Sequence, residues 1–204
     1  MYSRTLDGQT LNFEHARFLH QGSFVMYDRE TISLWLHTTG EAVVGDRKGQ
    51  TLEFLPSSVT TWKTWRTEHP ETLVLNVKQG TGPRFRLRDK PESGGLSVGR
   101  PDDTLKLYPL SILQQRRVIN DRLGRREIVV FFDPDNWVFA AFERGDRNFA
   151  WKDGRIVDQS DRKWNLLRGT SDELSLTPVP AVTWLTSYWK RFYPHGDVYK
   201  EAVE

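Results

Sequence analysis

The sequence predicts an α+β fold, mainly antiparallel β-sheet, made of two pseudo-symmetric repeats that each carry one aromatic-rich helix. Three observations predict it. Short runs of β-branched and aromatic residues alternate with turn sequences along the 204 residues, as in antiparallel sheets. Six landmarks recur in one order in two halves, at about 1–77 and 105–199, which reads as duplication within a single domain. Each half also places two tryptophans at helical spacing between a capping hydroxyl and a proline.

In the first half, Asp28-Arg29-Glu30-Thr31-Ile32-Ser33-Leu34-Trp35 leads through Gly40, Gly45 and Gly49 to Leu52-Glu53-Phe54-Leu55-Pro56. A helix holding Trp62 and Trp65 follows, with Ser57 or Ser58 as its cap and Pro70 as its stop. Thr72-Leu73-Val74-Leu75 then reads as a strand. In the second half, Asp158-Gln159-Ser160-Asp161-Arg162-Lys163-Trp164 leads to Leu174-Ser175-Leu176-Thr177-Pro178. A helix holding Trp184 and Trp189 follows, with Thr183 as its cap, then Pro194 and Asp197-Val198-Tyr199. Asp28 and Asp158 stand ahead of Trp35 and Trp164, and a duplicated turn needing its Asx bond explains this better than a duplicated ligand site.

The remaining elements read locally. Glu127-Ile128-Val129-Val130-Phe131-Phe132 is a continuous β-branched and aromatic run behind its leading glutamate, suited to a buried strand. Asp133-Pro134-Asp135-Asn136 turns it back into Trp137-Val138-Phe139-Ala140-Ala141-Phe142. Asp153-Gly154 joins Phe149-Ala150-Trp151 to Arg155-Ile156-Val157, and Asp7-Gly8 is a like pair in the first half. Tyr108-Pro109-Leu110-Ser111-Ile112-Leu113 predicts a short helix with proline in its first turn. Residues 79–103, with five Gly and three Pro, join the halves. Arg84-Phe85-Arg86-Leu87-Arg88 alternates there like an edge strand, and Ser93-Gly94-Gly95 predicts a flexible linker.

Composition bounds the function. Hydrophobic residues are only 37%, but eight tryptophans supply core volume. The absence of cysteine excludes disulfides, thiolate zinc sites and thiol nucleophiles. The first residues contain no apolar segment of signal-peptide type, and no run reaches membrane-helix length, so the chain is expected to be soluble as given, with its compartment left open. Lys78 to Arg126 carries 12 Lys/Arg against 5 Asp/Glu, a basic middle that either contacts an anionic partner or lies on a solvated face.

The same residues carry a family resemblance. Val25-Met26-Tyr27-Asp28-Arg29-Glu30-Thr31-x-Ser33-Leu34-Trp35 with Thr39-Gly40-Glu41-Ala42 and Gly45, then Thr61-Trp62-x-x-Trp65 and Pro70-x-Thr72-x-Val74-Leu75, resembles the prokaryotic family called domain of unknown function 3179. Tyr108-Pro109 and Asn120-Asp121-x-x-Gly124 are similar to it as well. The resemblance implies a shared fold and no settled activity. In that family an Asn-Asp-x-x-Gly element and a Cys-Pro-x-x-Cys strand usually precede the part that Tyr2-Ser3-Arg4 resembles. The first half is therefore expected to lack an opening hairpin arm. Its Tyr2–Phe13 edge is expected to be covered by another copy or another segment.

The leading functional expectation is a non-catalytic binding or interaction domain whose small ligand or protein partner sits between the repeats. The competing one is a hydrolase using His37 with Asp28 or Glu41 and Ser33 as nucleophile, although no Gly-x-Ser-x-Gly elbow is present. A third is an anion surface, nucleic acid included, through Arg84, Arg86, Arg88, Arg116 and Arg117. Trp151 is the tryptophan best placed for exposure to a ligand; the others read as core. No metal site or cofactor is expected: His15 and His20, with Glu14 or Asp28, are a weaker reading than ordinary histidines, and His69 and His195 suit helix C-termini.

Overall fold

The computed structural model describes residues 1–74, 91–100 and 103–201. The fold is mostly antiparallel sheet with three short helices, and it divides into two compact units. Unit 1 comprises Met1–Pro56 with Arg100–Asp103, and unit 2 the rest.

Unit 1 begins with a small hairpin, β1 (Thr5–Leu6) and β2 (Gln9–Thr10). Four strands follow in order: β3 (Phe13–His20), β4 (Ser23–Asp28), β5 (Leu34–Leu36) and β6 (Ala42–Val44). Two tight turns have both central residues left-handed, Asp7-Gly8 at φ 50° and 79° and Gln21-Gly22 at 51° and 81°, the geometry that matches strand twist in a two-residue hairpin. Leu11, Trp35, Ala42 and Leu52 form the core, with Tyr2, Leu6 and Phe13 packed on its rim.

Unit 2 contains α1 (Trp62–Glu68), a single 3-10 turn at Pro91–Ser93, β7 (Gly94–Gly99), β8 (Leu105–Pro109) and α2 (Leu110–Arg116). Then come β9 (Val118–Leu123), β10 (Arg126–Asp133), β11 (Val138–Glu143), β12 (Phe149–Lys152), β13 (Arg155–Asp158) and β14 (Lys163–Trp164). Last are β15 (Thr170–Ser171), β16 (Leu174–Ser175), β17 (Thr177–Pro178), β18 (Ala181–Leu185), α3 (Thr186–Phe192) and β19 (Asp197–Val198). The main sheets run β17-β11-β10-β9, β12-β13-β14 and β18-β7-β8-β19, with β19 parallel to β8.

Strand β10 explains its own uninterrupted apolar sequence. Ile128, Val130 and Phe132 enter one core with Leu96, Tyr108 and Phe139. Val129 and Phe131 enter another with Phe142, Phe149 and Trp164. Successive side chains point to opposite faces, so a strand between two cores has no polar position to spare.

Several local expectations change. Ser93-Gly94-Gly95 is no linker: Gly94–Gly99 is a fully buried central strand paired with both β18 and β8. A Cβ on Gly95 would lie 2.9 Å from Leu107 Cδ1 and from Tyr108 O, so glycine there permits close packing rather than flexibility. The cap of α1 is Thr61, whose hydroxyl accepts from Thr64 N–H at 3.2 Å, and not Ser57 or Ser58. Val59 stands outside the helix and bridges Phe139. Thr183 and Trp184 lie in β18, and α3 starts at Thr186 without a side-chain cap. Trp62 is half exposed rather than core. Gln21-Gly22 joins β3 to β4, and Asp153-Gly154 joins β12 to β13. The proposed Arg84–Arg88 edge strand and Leu75 lie outside the described residues.

Candidate functional site

In unit 1, Asp28 ends β4 and begins a turn closed by Ile32 at φ 56°. Its N–H donates to Ser33 O at 3.2 Å, and Ile32 N–H donates to its carbonyl at 2.9 Å. The buried carboxylate then takes three donors: Thr31 N–H at 2.6 Å, Thr31 Oγ1 at 2.8 Å and the Trp35 indole N–H at 2.7 Å. Burial pushes its pKa up, but the Trp35 and Thr31 bonds prevail and hold it below the usual aspartate value. Phe13 stands edge-on to Trp35 at 5.7 Å. Gly40 approaches the Tyr2 ring so closely that a Cβ would lie 2.7 Å from Tyr2 Cδ1.

Unit 2 also sets an aspartate against a tryptophan indole. Asp158 N–H donates to Arg162 O at 3.1 Å. Its carboxylate accepts from Ser160 N–H at 2.9 Å and from the Trp164 indole at 3.2 Å. Burial raises its pKa while the Ser160, Arg162 and Trp164 bonds lower it, and the net shift is downward. Phe149 is edge-on to Trp164 at 5.4 Å, and a Cβ on Gly169 would lie 2.7 Å from Phe142 Cδ1. Asn165 N–H donates to Thr170 O and Leu176 N–H to Gly169 O, as Leu36 N–H does to Glu41 O and Leu52 N–H to Gly40 O. The Asx turns at Asp28 and Asp158 are therefore real structural bonds.

The hydrolytic candidates are brought together only in part. Ser33 Oγ lies 2.7 Å from Thr31 Oγ1 and accepts from Arg47 N–H at 3.1 Å, beside Asp28. His37 is exposed, and its Nδ1 lies 3.1 Å from Phe24 O and 3.3 Å from Ser23 Oγ. Glu41 is exposed, and its carbonyl accepts from Leu36. Among the described residues no hydrogen bond joins His37 to Asp28, Ser33 or Glu41. Ser33 lies just before β5 and His37 just after it.

Of the ligand candidates, Trp151 and Arg117 meet: the guanidinium lies 4.7 Å from the ring centroid. Arg117 adopts φ 60° where it terminates α2 and also reaches Asp135 at 3.9 Å. That cation covers a face of Trp151. Arg116 pairs with Glu201 at 2.7 Å. Arg84, Arg86 and Arg88 lie outside the described residues. His15 stacks on Phe24 at 4.1 Å, and among the described residues no group of three or more His, Asp or Glu side chains is placed to hold a metal.

Two further arrangements escaped the sequence reading. On β3 and β4, Glu14 accepts from the Tyr27 hydroxyl and from Arg29. The Tyr27 bond first, then Arg29, hold its carboxyl below the usual value. This pair sits in an open groove of 560 Å³ walled by Phe18, Ile32 and Leu34, and Phe18, Leu19 and Phe24 are exposed nearby at 48%, 65% and 36%. In unit 2, Asp121 accepts from Tyr108 OH at 2.7 Å and Lys106 Nζ at 2.9 Å. Burial, then Asp121, push the Tyr108 hydroxyl up, and Asp121 keeps Lys106 protonated against its burial. The trio is an ion-paired cluster that links β8 to β9. Its only sequence signal was the pair of family-like motifs at Tyr108-Pro109 and Asn120-Asp121.

A family model described as "Protein of unknown function (DUF3179)" matches residues 1–91. No curated protein and no solved structure matches the chain.

Proposed function

We propose, from the premise that residues 1–91 of this chain belong to the family of proteins of unknown function DUF3179, that the chain is a non-catalytic interaction domain built from two copies of one β unit. One observation carries the reading. The sets Tyr2, Phe13, Asp28, Trp35, Gly40 and Phe142, Phe149, Asp158, Trp164, Gly169 make the same contacts in the same order. The backbone bonds match Ser33 with Arg162 and Glu41 with Thr170, and by register His37 with Leu166. The second copy thus keeps the aspartate and the rings and dispenses with every other hydrolytic candidate. Asp28 belongs to the architecture, and the surface left for function in unit 1 is the β3–β4 hairpin with its groove and exposed rings.

The purified chain is assayed against ester, phosphoester and glycoside substrates beside His37→Ala. We expect no turnover in either. Turnover by the parent chain that His37→Ala abolishes overturns the reading in favour of a hydrolase.

A further inference from the structure

In an antiparallel pair, opposed residues alternate between those that exchange both backbone bonds and those whose N–H and C=O point away from each other. Asp158 donates its N–H toward β14, so its β12 partner, Phe149, turns its own N–H and C=O to the outer edge. Asn120 of β9 takes both. Phe149 N–H donates to Asn120 Oδ1 at 2.9 Å, and Asn120 Nδ2 donates to Phe149 O at 2.8 Å. A carboxamide carries a donor and an acceptor side by side, so one side chain closes the edge as a neighbouring strand would. Phe149 is buried beneath it at 4% exposure.

The same logic applies in unit 1. Asp28 donates its N–H toward β5 and pairs with Phe13, which therefore turns its N–H and C=O outward from β3. Among the described residues nothing takes these groups, and Phe13 is only partly buried. The regular edge is short, because the register breaks between His15 and Leu19, with Arg17 at φ 62°. Such a break blocks addition of a full strand but leaves room for a clamp at one residue. Exposed Phe18, Leu19 and Phe24 offer apolar contact on the same hairpin.

We propose that the outer edge of β3 at Phe13 docks an extended segment of another polypeptide through an asparagine side chain, as Asn120 closes Phe149 in unit 2. The proposal rests on the two-copy reading above. A second copy of this chain is not the donor through Asn120, since that amide is already engaged on its own β12.

The test uses the full chain, labelled with nitrogen-15, and the blocked hexapeptide Val-Ile-Asn-Asp-Arg-Leu, the sequence of β9, as probe. In the free chain we expect the Phe149 amide to exchange at least about tenfold more slowly than that of Phe13. The peptide shifts the Phe13 and His15 resonances and slows Phe13 exchange by up to about tenfold, as one added hydrogen bond does. A peptide with alanine in place of asparagine loses both effects, and one with aspartate, which keeps only the acceptor, retains part. A Phe13 amide already protected in the free chain overturns the proposal, as does equal binding of the alanine peptide or no response at β3. If Phe149 is slow, Phe13 fast and the peptide without effect, the docking proposal alone falls. If Phe149 exchanges as fast as Phe13, the correspondence of the two units falls with it.

Discussion

The indole nitrogen of Trp35 donates to Asp28 Oδ2 at 2.7 Å, with both side chains completely buried. A carboxylate in that position survives ionised only because each donor is in place. Removing one donor while leaving the acid strands a charge, which costs more than the bond itself contributes.

Trp35→Phe keeps an aromatic ring against Phe13 and deletes the N–H. Its expected cost is on the order of 1–3 kcal/mol from the under-bonded carboxylate, with the smaller ring adding a cavity term. Trp164→Phe is the matching change in unit 2, where the acid keeps Arg162 at 3.0 Å, so the loss is smaller. Urea melts of the two variants measure both, and equal losses would contradict the different coordination of the acids.

Acid acts on the same two residues. Both aspartates have folded-state pKa values below the unfolded ones, so their stabilisation is complete above the unfolded value and is lost as pH falls through the folded one. Stability should decline once the pH drops below about 4. Asp28→Asn, uncharged throughout, should be less stable at neutral pH and flatter below it. Denaturation midpoints across pH 2 to 7 check the slope, where roughly one proton per aspartate is taken up.

Gly40→Ala and Gly169→Ala should each cost more than the ~1–2 kcal/mol of a left-handed alanine, since their Cβ atoms would press into Tyr2 and Phe142 at 2.7 Å. Gly154→Ala, at φ 76° with open space around it, should cost the backbone strain alone. Thermal melts of the three variants give the difference.

Asn120→Ala releases both backbone groups of Phe149 at the edge of β12. The expected loss is about 1–3 kcal/mol, with faster amide exchange at Phe149 and little change in unit 1.

Much of the sheet was legible because local chemistry decides it. The run from Ile128 to Phe132 was apolar at every position, and burial between two cores is what such a run requires. Asp28 and Asp158 announced their turns by standing ahead of Trp35 and Trp164. The misreadings share a cause, which is that a residue's partner lies far along the chain. Gly94 and Gly95 look like a linker until Leu107 and Tyr108 arrive beside them. Thr183 has a capping side chain, yet pairing with Leu96 draws it into β18. Arg117 and Trp151 each suggested a ligand, and each is the other's neighbour. Nothing around Asn120 announced that its amide would hold a backbone 29 positions away.

Helix α1 precedes β7 in the chain yet leans on residues that come much later. Thr64 reaches Asn136, and Glu68 meets Asn165 and Arg168. The matched stretch that ends at residue 91 therefore includes a helix whose anchors are translated only afterwards. A fragment trimmed to that stretch would carry Trp62 and Trp65 on an unsupported ribbon, sticky and prone to proteolysis. The boundary after Pro56 parts α1 from unit 1, whose remaining stretch, Arg100–Asp103, also comes later in the chain.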